Sequence, residues 1–145
     1  LDSRRQKAQR AQYAKQALTR QVNSQEDRIR LLTEMEKEYE GFNKAVKTVM
    51  QAAEKNTLRG IHGPVAGLMT TEQTYAVALE TALGAALQNI VVEREEDAKA
   101  AIQFLKQRDG GRATFLPLTA IRGDELRENA AGEYGFVGIA SRLVR

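Results

Sequence analysis

The first 59 residues are the most restrictive feature of this chain, because they contain no proline and a single glycine, Gly41. Alanine, glutamine, lysine, arginine, glutamate and leucine dominate this stretch, and all of them favour helix. A helix of about 55 residues would be roughly 80 Å long at 1.5 Å per residue, which is longer than a domain of this size could cover. The sequence therefore predicts a nearly continuous helix over residues 3–55 that packs against another helix.

Apolar residues recur along this stretch at alternating steps of four and three, which is the spacing of a coiled-coil seam. Leu32 and Met35 are one residue too close for this pattern, so we expect a bend or local over-winding between them. A helix folded back on its own domain is the alternative, but residues 60–145 contain no second heptad segment to pair with it. The predicted seam consists of Leu18, Val22, Ile29, Leu32, Met35, Tyr39, Phe42, Val46, Val49 and Ala53.

The charge is distributed unevenly along the chain. Residues 1–59 carry 13 Lys and Arg against 8 Asp and Glu, whereas the remaining residues carry 9 against 11. Within residues 1–22 the only acidic side chain is Asp2. A basic arm beside a mildly acidic domain indicates contact with a polyanion, and an ordinary solvated helix surface is the alternative.

Residues 60–145 predict a compact α/β unit, because turn residues separate short apolar runs from amphipathic segments. Strands are expected at residues 65–69, 90–92 and 113–116, with a possible fourth at 136–140, in a parallel or mixed sheet. A capping box of Thr70 and Gln73 is expected to start one helix, and the acidic residues 95–97 to start the next. The expected core consists of Leu79, Leu83, Ile90, Val92, Ile102, Leu105 and Phe115.

The sequence contains no motif that indicates catalysis or metal binding. There is no cysteine, and the one histidine, His62, lies in a tight Gly-rich linker where a structural or solvent-facing role is expected. No phosphate-binding loop motif is present, and no apolar run approaches the roughly 18 residues of a membrane span. We therefore predict no enzymatic activity, no cofactor, no metal site, no small-molecule substrate and no membrane segment in this chain.

Three motifs in the second half resemble one family in the order in which they occur. They are GPVAGL at residues 63–68, ALGAALQNIVV at 82–92 and GRATFLPL at 111–118. Together they resemble the hinge domain of bacterial structural-maintenance-of-chromosomes (SMC) proteins, over roughly residues 58–143. The preceding heptad stretch fits this resemblance, because a long coiled coil leads into the hinge in that family.

The resemblance implies a coiled-coil arm over residues 1–59 and the first of two hinge subdomains over residues 60–145. It implies a cytoplasmic, nucleoid-associated protein of chromosome condensation and segregation, whose arms dimerise at the hinge and whose ATP and Mg²⁺ bind at heads outside this sequence. The expected partners are a second hinge half or second SMC chain, a returning coiled-coil helix, and double- or single-stranded DNA. Both ends of the sequence suggest a piece of a longer polypeptide.

Any DNA contact is expected from the basic arm and from its junction with the hinge, because non-specific binding needs several cations on one exposed surface. No base-reading element is apparent, so binding should be weak and strongly salt-dependent. A coiled-coil scaffold with a protein-binding α/β tip and no DNA role is the alternative, as is a small α/β enzyme with an oligomerisation arm. The predicted contacts are Lys44, Lys47, Lys55, Arg59 and Arg112.

Overall fold

The computed structural model describes residues 1–127, 130 and 132–145. These residues form two compact units, Leu1–Glu40 and Gly41–Arg145. The first unit consists mainly of one helix, α1 (Asp2–Lys37), all of whose residues are described and none of which is buried. Because α1 contains neither glycine nor proline, its residues can all adopt helical geometry without strain.

The chain leaves helical geometry directly after α1, so the predicted continuous helix over residues 3–55 is wrong. Tyr39 and Gly41 have φ angles of 55° and 89°, in the left-handed region that a right-handed helix cannot contain. A second helix, α2 (Lys44–Glu54), then begins. The predicted bend between residues 32 and 35 does not interrupt α1, and the break lies several residues later.

Asn43 fixes the start of α2. Its Oδ1 accepts a hydrogen bond from the Val46 N–H at 2.9 Å, which is the usual N-cap arrangement. Its own backbone N–H donates to the side-chain Oε1 of Gln88 at 2.8 Å. The start of α2 is thus fixed both locally and by a residue far along the chain.

Replacing Asn43 with alanine is expected to lower the free energy of unfolding of the second unit by about 1 kcal/mol, because the Val46 N–H loses its cap. Urea denaturation followed by circular dichroism measures the change. Gln51→Ala is the matched control, because Gln51 is exposed on the same helix. Equal stability of the two variants would contradict the capping role of Asn43.

Helix α2 belongs to the core of the second unit and does not continue a coiled-coil arm. Val46 and Val49, which the heptad pattern assigned to a seam, are 1% and 0% exposed. The helix packs against strand β1 (Ile61–Pro64) and helix α5 (Glu95–Gln107). The two units therefore divide between residues 40 and 41, whereas the sequence predicted a division between residues 59 and 60.

The second unit contains a mixed three-stranded sheet, in agreement with the predicted fold class. Its strand order is β1, β2 (Ile90–Val92), β3 (Phe115–Pro117). Strands β1 and β2 are antiparallel, with Pro64 opposite Ile90, and β2 and β3 are parallel, with Ile90 opposite Phe115. Two further helices are α3 (Val65–Leu68) and α4 (Gln73–Leu83), and 3₁₀ turns span Gly84–Gln88 and Ala140–Arg142.

Two predicted strands are wrong. Residues 65–69 contain helix α3, because Pro64, as N-cap residue, directs the chain from β1 straight into a helical turn. Residues 136–140 form no strand, and the chain instead enters the 3₁₀ turn at Ala140–Arg142. The strand predicted over residues 113–116 starts later, at Phe115.

The predicted Thr70 and Gln73 capping box is also wrong, because α4 has Glu72 as its N-cap residue and no side-chain cap bond. The Thr70 backbone is engaged elsewhere. It pairs with the Arg145 backbone through two N–H to O hydrogen bonds of 2.9 Å. This pairing attaches the end of the described chain to the segment before α4.

The predicted core is partly confirmed. Ile90 and Val92 are fully buried, and Leu79 and Leu105 nearly so. Leu83 and Phe115 are half-buried, and both lie at the margin of the core rather than inside it. Ile102 is 40% exposed, so its assignment to the core is wrong.

Candidate nucleic-acid interface

Lys44 and Arg112 lie at the same end of the second unit. The Lys44 Nζ donates to the backbone carbonyl of Asp109 at 3.3 Å, which brings the first residue of α2 to the loop after α5. A Cβ built on Gly111 would lie 3.6 Å from the Ala45 Cβ, so the backbone of this loop passes close to α2. The predicted contacts Lys44 and Arg112 are therefore neighbours, although they are far apart in sequence.

The end of α5 adds two cations to this region that the sequence-based prediction missed. Lys106 lies in the last turn of α5, and Arg108 is its C-cap residue. The Arg108 guanidinium lies over the Phe104 ring, 4.3 Å from its centroid, in a cation–π contact that orients the side chain. Cations at a helix C-terminus are favoured by the helix dipole, which was the available sequence signal.

Lys55 and Arg59 lie at and after the other end of α2, and Arg59 precedes a glycine that packs on an acidic turn. Lys55 is the C-cap residue of α2, and Arg59 directly precedes Gly60. A Cβ on Gly60 would overlap the Asp97 carboxylate, so the backbone here packs against the acidic first turn of α5. The five predicted contacts therefore do not form one surface, and Lys47, which is half-buried, lies one turn beyond Lys44.

His62 pairs with Glu93, which lies between β2 and α5. Its Nε2 is 2.6 Å from Glu93 Oε2, and both side chains are about half exposed. Glu93 also fixes the backbone there, because its N–H donates to the Gly60 carbonyl at 2.8 Å. The arrangement is an exposed cross-strand pair, and within the described residues no group of three His, Cys, Asp or Glu side chains could hold a metal ion.

The segment after β3 is held by polar contacts. Arg142 Nε donates to Glu125 Oε1 at 2.6 Å. The hydrogen bond and the charge of the guanidinium lower the pKa of the Glu125 carboxyl below its ordinary value. Thr71 Oγ1 donates to the Leu143 carbonyl at 2.8 Å, which links the same segment to the start of α4.

Helix α1 carries the first five residues of the predicted seam on its surface. Leu18, Val22, Ile29, Leu32 and Met35 are between 43% and 64% exposed. Tyr39 and Phe42 lie in the turn after α1 and are half-buried. Val46 and Val49 are core residues of the second unit, as described above, and Ala53 is half-buried in α2. Among the ten residues of the predicted seam, the five on α1 are thus the ones exposed enough to contact a partner helix.

The basic residues of α1 are exposed as well. Arg4, Arg5, Lys7, Arg10 and Lys15 all lie on this helix and are open to solvent. No helix in the described part of the chain is long and apolar enough to cross a membrane.

Comparison with known proteins gives the family. The family model for the flexible hinge domain of SMC proteins matches residues 58–145. The chain belongs to the SMC hinge family. The matched region starts close to residue 60, where the sequence predicted the start of the hinge. The compact unit already starts at Gly41. Helix α2 therefore belongs to this unit but precedes the residues that the family model matches. The resemblance identified from the three motifs is confirmed.

Individual relatives agree with this assignment. The SMC hinge chain is 43% identical over 142 residues to the chromosome partition protein Smc of Bacillus subtilis, and this match covers 95% of the chain and 12% of that protein. A crystal structure of an asymmetric dimer of the Geobacillus stearothermophilus SMC hinge domain has a TM-score of 0.78 and 44% identity, covering 87% of this chain and 51% of that one. The Pyrococcus furiosus SMC hinge domain has a TM-score of 0.60 and 30% identity, covering 79% and 58%.

Proposed function

We propose that this chain is the first half of an SMC hinge with part of its adjoining arm, and that it serves chromosome condensation and segregation in the cytoplasm, at the nucleoid. The observation that carries the proposal is the hinge match over residues 58–145. Coverage of about half of a related hinge chain supports the assignment to one of two subdomains. In the parent protein, ATP hydrolysis would belong to head domains outside this sequence.

The hinge half is proposed to dimerise with a second SMC chain or a second hinge half. The support is the Geobacillus relative, whose hinge domain was crystallised as an asymmetric dimer. The exposed apolar residues of α1 are proposed to pack against a returning helix, because apolar residues at heptad spacing are stabilised when a partner helix covers them. Light scattering of this chain, alone and mixed with the second half of the Geobacillus hinge, tests the association; an unchanged mass in the mixture would contradict it.

A weak, non-specific association with single- or double-stranded DNA is the finer part of the proposal. It rests on the exposed basic residues of α1 and on the predicted contacts Lys44, Lys47, Lys55, Arg59 and Arg112. Among these, Lys44 and Arg112 are best placed, because Lys106 and Arg108 add charge at their end of the unit. Arg59 directly precedes Gly60, whose backbone packs on the acidic turn that starts α5, and that turn repels phosphate.

Reversing the charge at Lys44 and Arg112 together, as K44E/R112E, is expected to weaken duplex binding about tenfold or more. Each contact between a cation and a phosphate that is lost should also make the slope of log binding constant against log salt concentration shallower by about one. Fluorescence anisotropy with a labelled 30-base-pair duplex, measured at several salt concentrations, gives both quantities.

K55E/R59E is the matched control, because it changes the charge by the same amount at and after the other end of α2. We expect it to have a smaller effect on affinity than K44E/R112E. Equal losses in both variants would show that only net charge matters, and unchanged binding in K44E/R112E would place any DNA contact on α1 or remove it altogether.

A further inference from the structure

An open cavity of about 520 Å³ lies beside the end of α5. Its apolar lining comes from Ile102, Leu105 and Ala113. Ile102 is 40% exposed, although Ala98 and Leu105, one turn away on either side, are buried. The cavity is large enough for one or two side chains of a ligand, and the exposed Ile102 gives it an apolar contact surface.

Charged groups surround this apolar lining. Lys106 and Arg112 line the cavity together with Asp109. Lys44 adds a further cation at the edge, where its Nζ contacts the Asp109 carbonyl. The rim therefore carries three cations and one acidic residue, so its net charge is positive.

The wall formed by residues 109–111 is held in one conformation. Asp109 and Gly111 both have left-handed backbones, with φ of 49° and 89°. Gly110 packs so closely on Leu105 that an added Cβ would lie 2.7 Å from Leu105 Cδ2. The Gly110 N–H donates to the Leu105 carbonyl at 2.9 Å. Because the wall is already ordered, a ligand would not have to order it on binding.

We propose that this cavity binds a short acidic peptide segment of a protein partner, with one branched aliphatic side chain seated on Ile102. Carboxylates of the peptide would pair with Lys106 and Arg112, and a peptide N–H could donate to Asp109. Nucleic acid fits the interior of the cavity less well, because the apolar lining offers a phosphate no hydrogen bond, so we assign DNA contact only to the cations of the rim. The peptide site and the proposed DNA contacts share Lys44 and Arg112, and the apolar contact with Ile102 belongs to the peptide site alone.

The test uses the full 145-residue chain and a fluorescein-labelled, capped peptide of sequence Asp-Glu-Ile-Glu-Asp, followed by fluorescence anisotropy. Saturable binding is expected. A second peptide with serine in place of isoleucine should bind at least tenfold more weakly, because it lacks the aliphatic side chain. Equal binding of the two peptides, or no binding of the first, would overturn the proposal.

Two variants of the chain locate the site. Ile102→Lys should weaken binding of the isoleucine peptide at least tenfold while leaving duplex DNA binding undiminished, because it removes the apolar contact and adds a cation. A parallel loss of peptide and DNA binding, or a loss of DNA binding alone, would overturn the proposal in favour of a nucleic-acid site.

Lys106→Glu should also weaken peptide binding at least tenfold. Lys99→Glu is its matched control, because Lys99 lies on the same helix two turns earlier and does not line the cavity. Circular dichroism confirms that each variant is folded before binding is measured. Equal effects of the two charge reversals would show that binding follows net charge alone and would contradict the site.

Discussion

Replacing Val49 with aspartate is expected to unfold the second unit (Gly41–Arg145, the hinge unit below) or to lower its free energy of unfolding by at least about 3 kcal/mol. Val49 is 0% exposed in α2, so the substitution removes a buried aliphatic side chain and places a carboxylate in an apolar core. Urea denaturation, combined with amide hydrogen exchange of strand β2, measures the stability of this unit separately from helix α1.

Val22→Asp provides the comparison, because the same substitution is made at a 50% exposed position of α1. It should leave the exchange rates of β2 unchanged. If neither variant destabilised β2, α2 would not belong to the core of the hinge unit. If both destabilised β2 alike, the division after Glu40 would have to be reconsidered.

The heptad pattern predicted the apolar face of α2 but assigned it to the wrong partner. Val46 and Val49 have the spacing of a coiled-coil seam, and the same spacing also suits a helix that packs on a sheet. The start of α2 is fixed by the local Asn43 cap and also by a non-local contact. The hydrogen bond from the Asn43 N–H to Gln88 joins residues 45 positions apart, and local sequence does not reveal it.

A strand was predicted correctly where the sequence has a continuous run of β-branched residues. Strand β2 is a run of three β-branched residues, and the structure has it at the predicted residues. Strand β1 was missed because its sequence, from Ile61 to Pro64, contains glycine and proline, which usually indicate a turn. Pro64 is tolerated because it is the last residue of a strand at the edge of the sheet.

The grouping of cations could not be read from the sequence either. Lys44 starts α2 and Arg59 follows that helix closely, yet Lys44 contacts the loop after α5 and Arg59 precedes a glycine that packs on the acidic start of α5. That difference arises from the way α2 packs against α5. The same packing brings Arg112 to Lys44, which no sequence spacing indicates.

Truncation of Ile90 to alanine is expected to lower the free energy of unfolding of the hinge unit by about 2–5 kcal/mol. Ile90 is 0% exposed in the central strand of the sheet, where its N–H also donates to the Thr114 carbonyl at 2.9 Å. The backbone bond survives the substitution, so the loss comes from burial and from the cavity left behind. Urea denaturation followed by circular dichroism gives the value.

The same truncation at Ile102 provides the sharpest comparison, because it removes the same atoms from a side chain that is 40% exposed. Its cost should be about 1 kcal/mol or less, since those atoms are already partly hydrated and the cavity beside them is open. The sequence placed both isoleucines in the core, and only their exposure in the structure separates them. A loss at Ile102 as large as that at Ile90 would mean that Ile102 is covered in solution, which would also close the proposed peptide site.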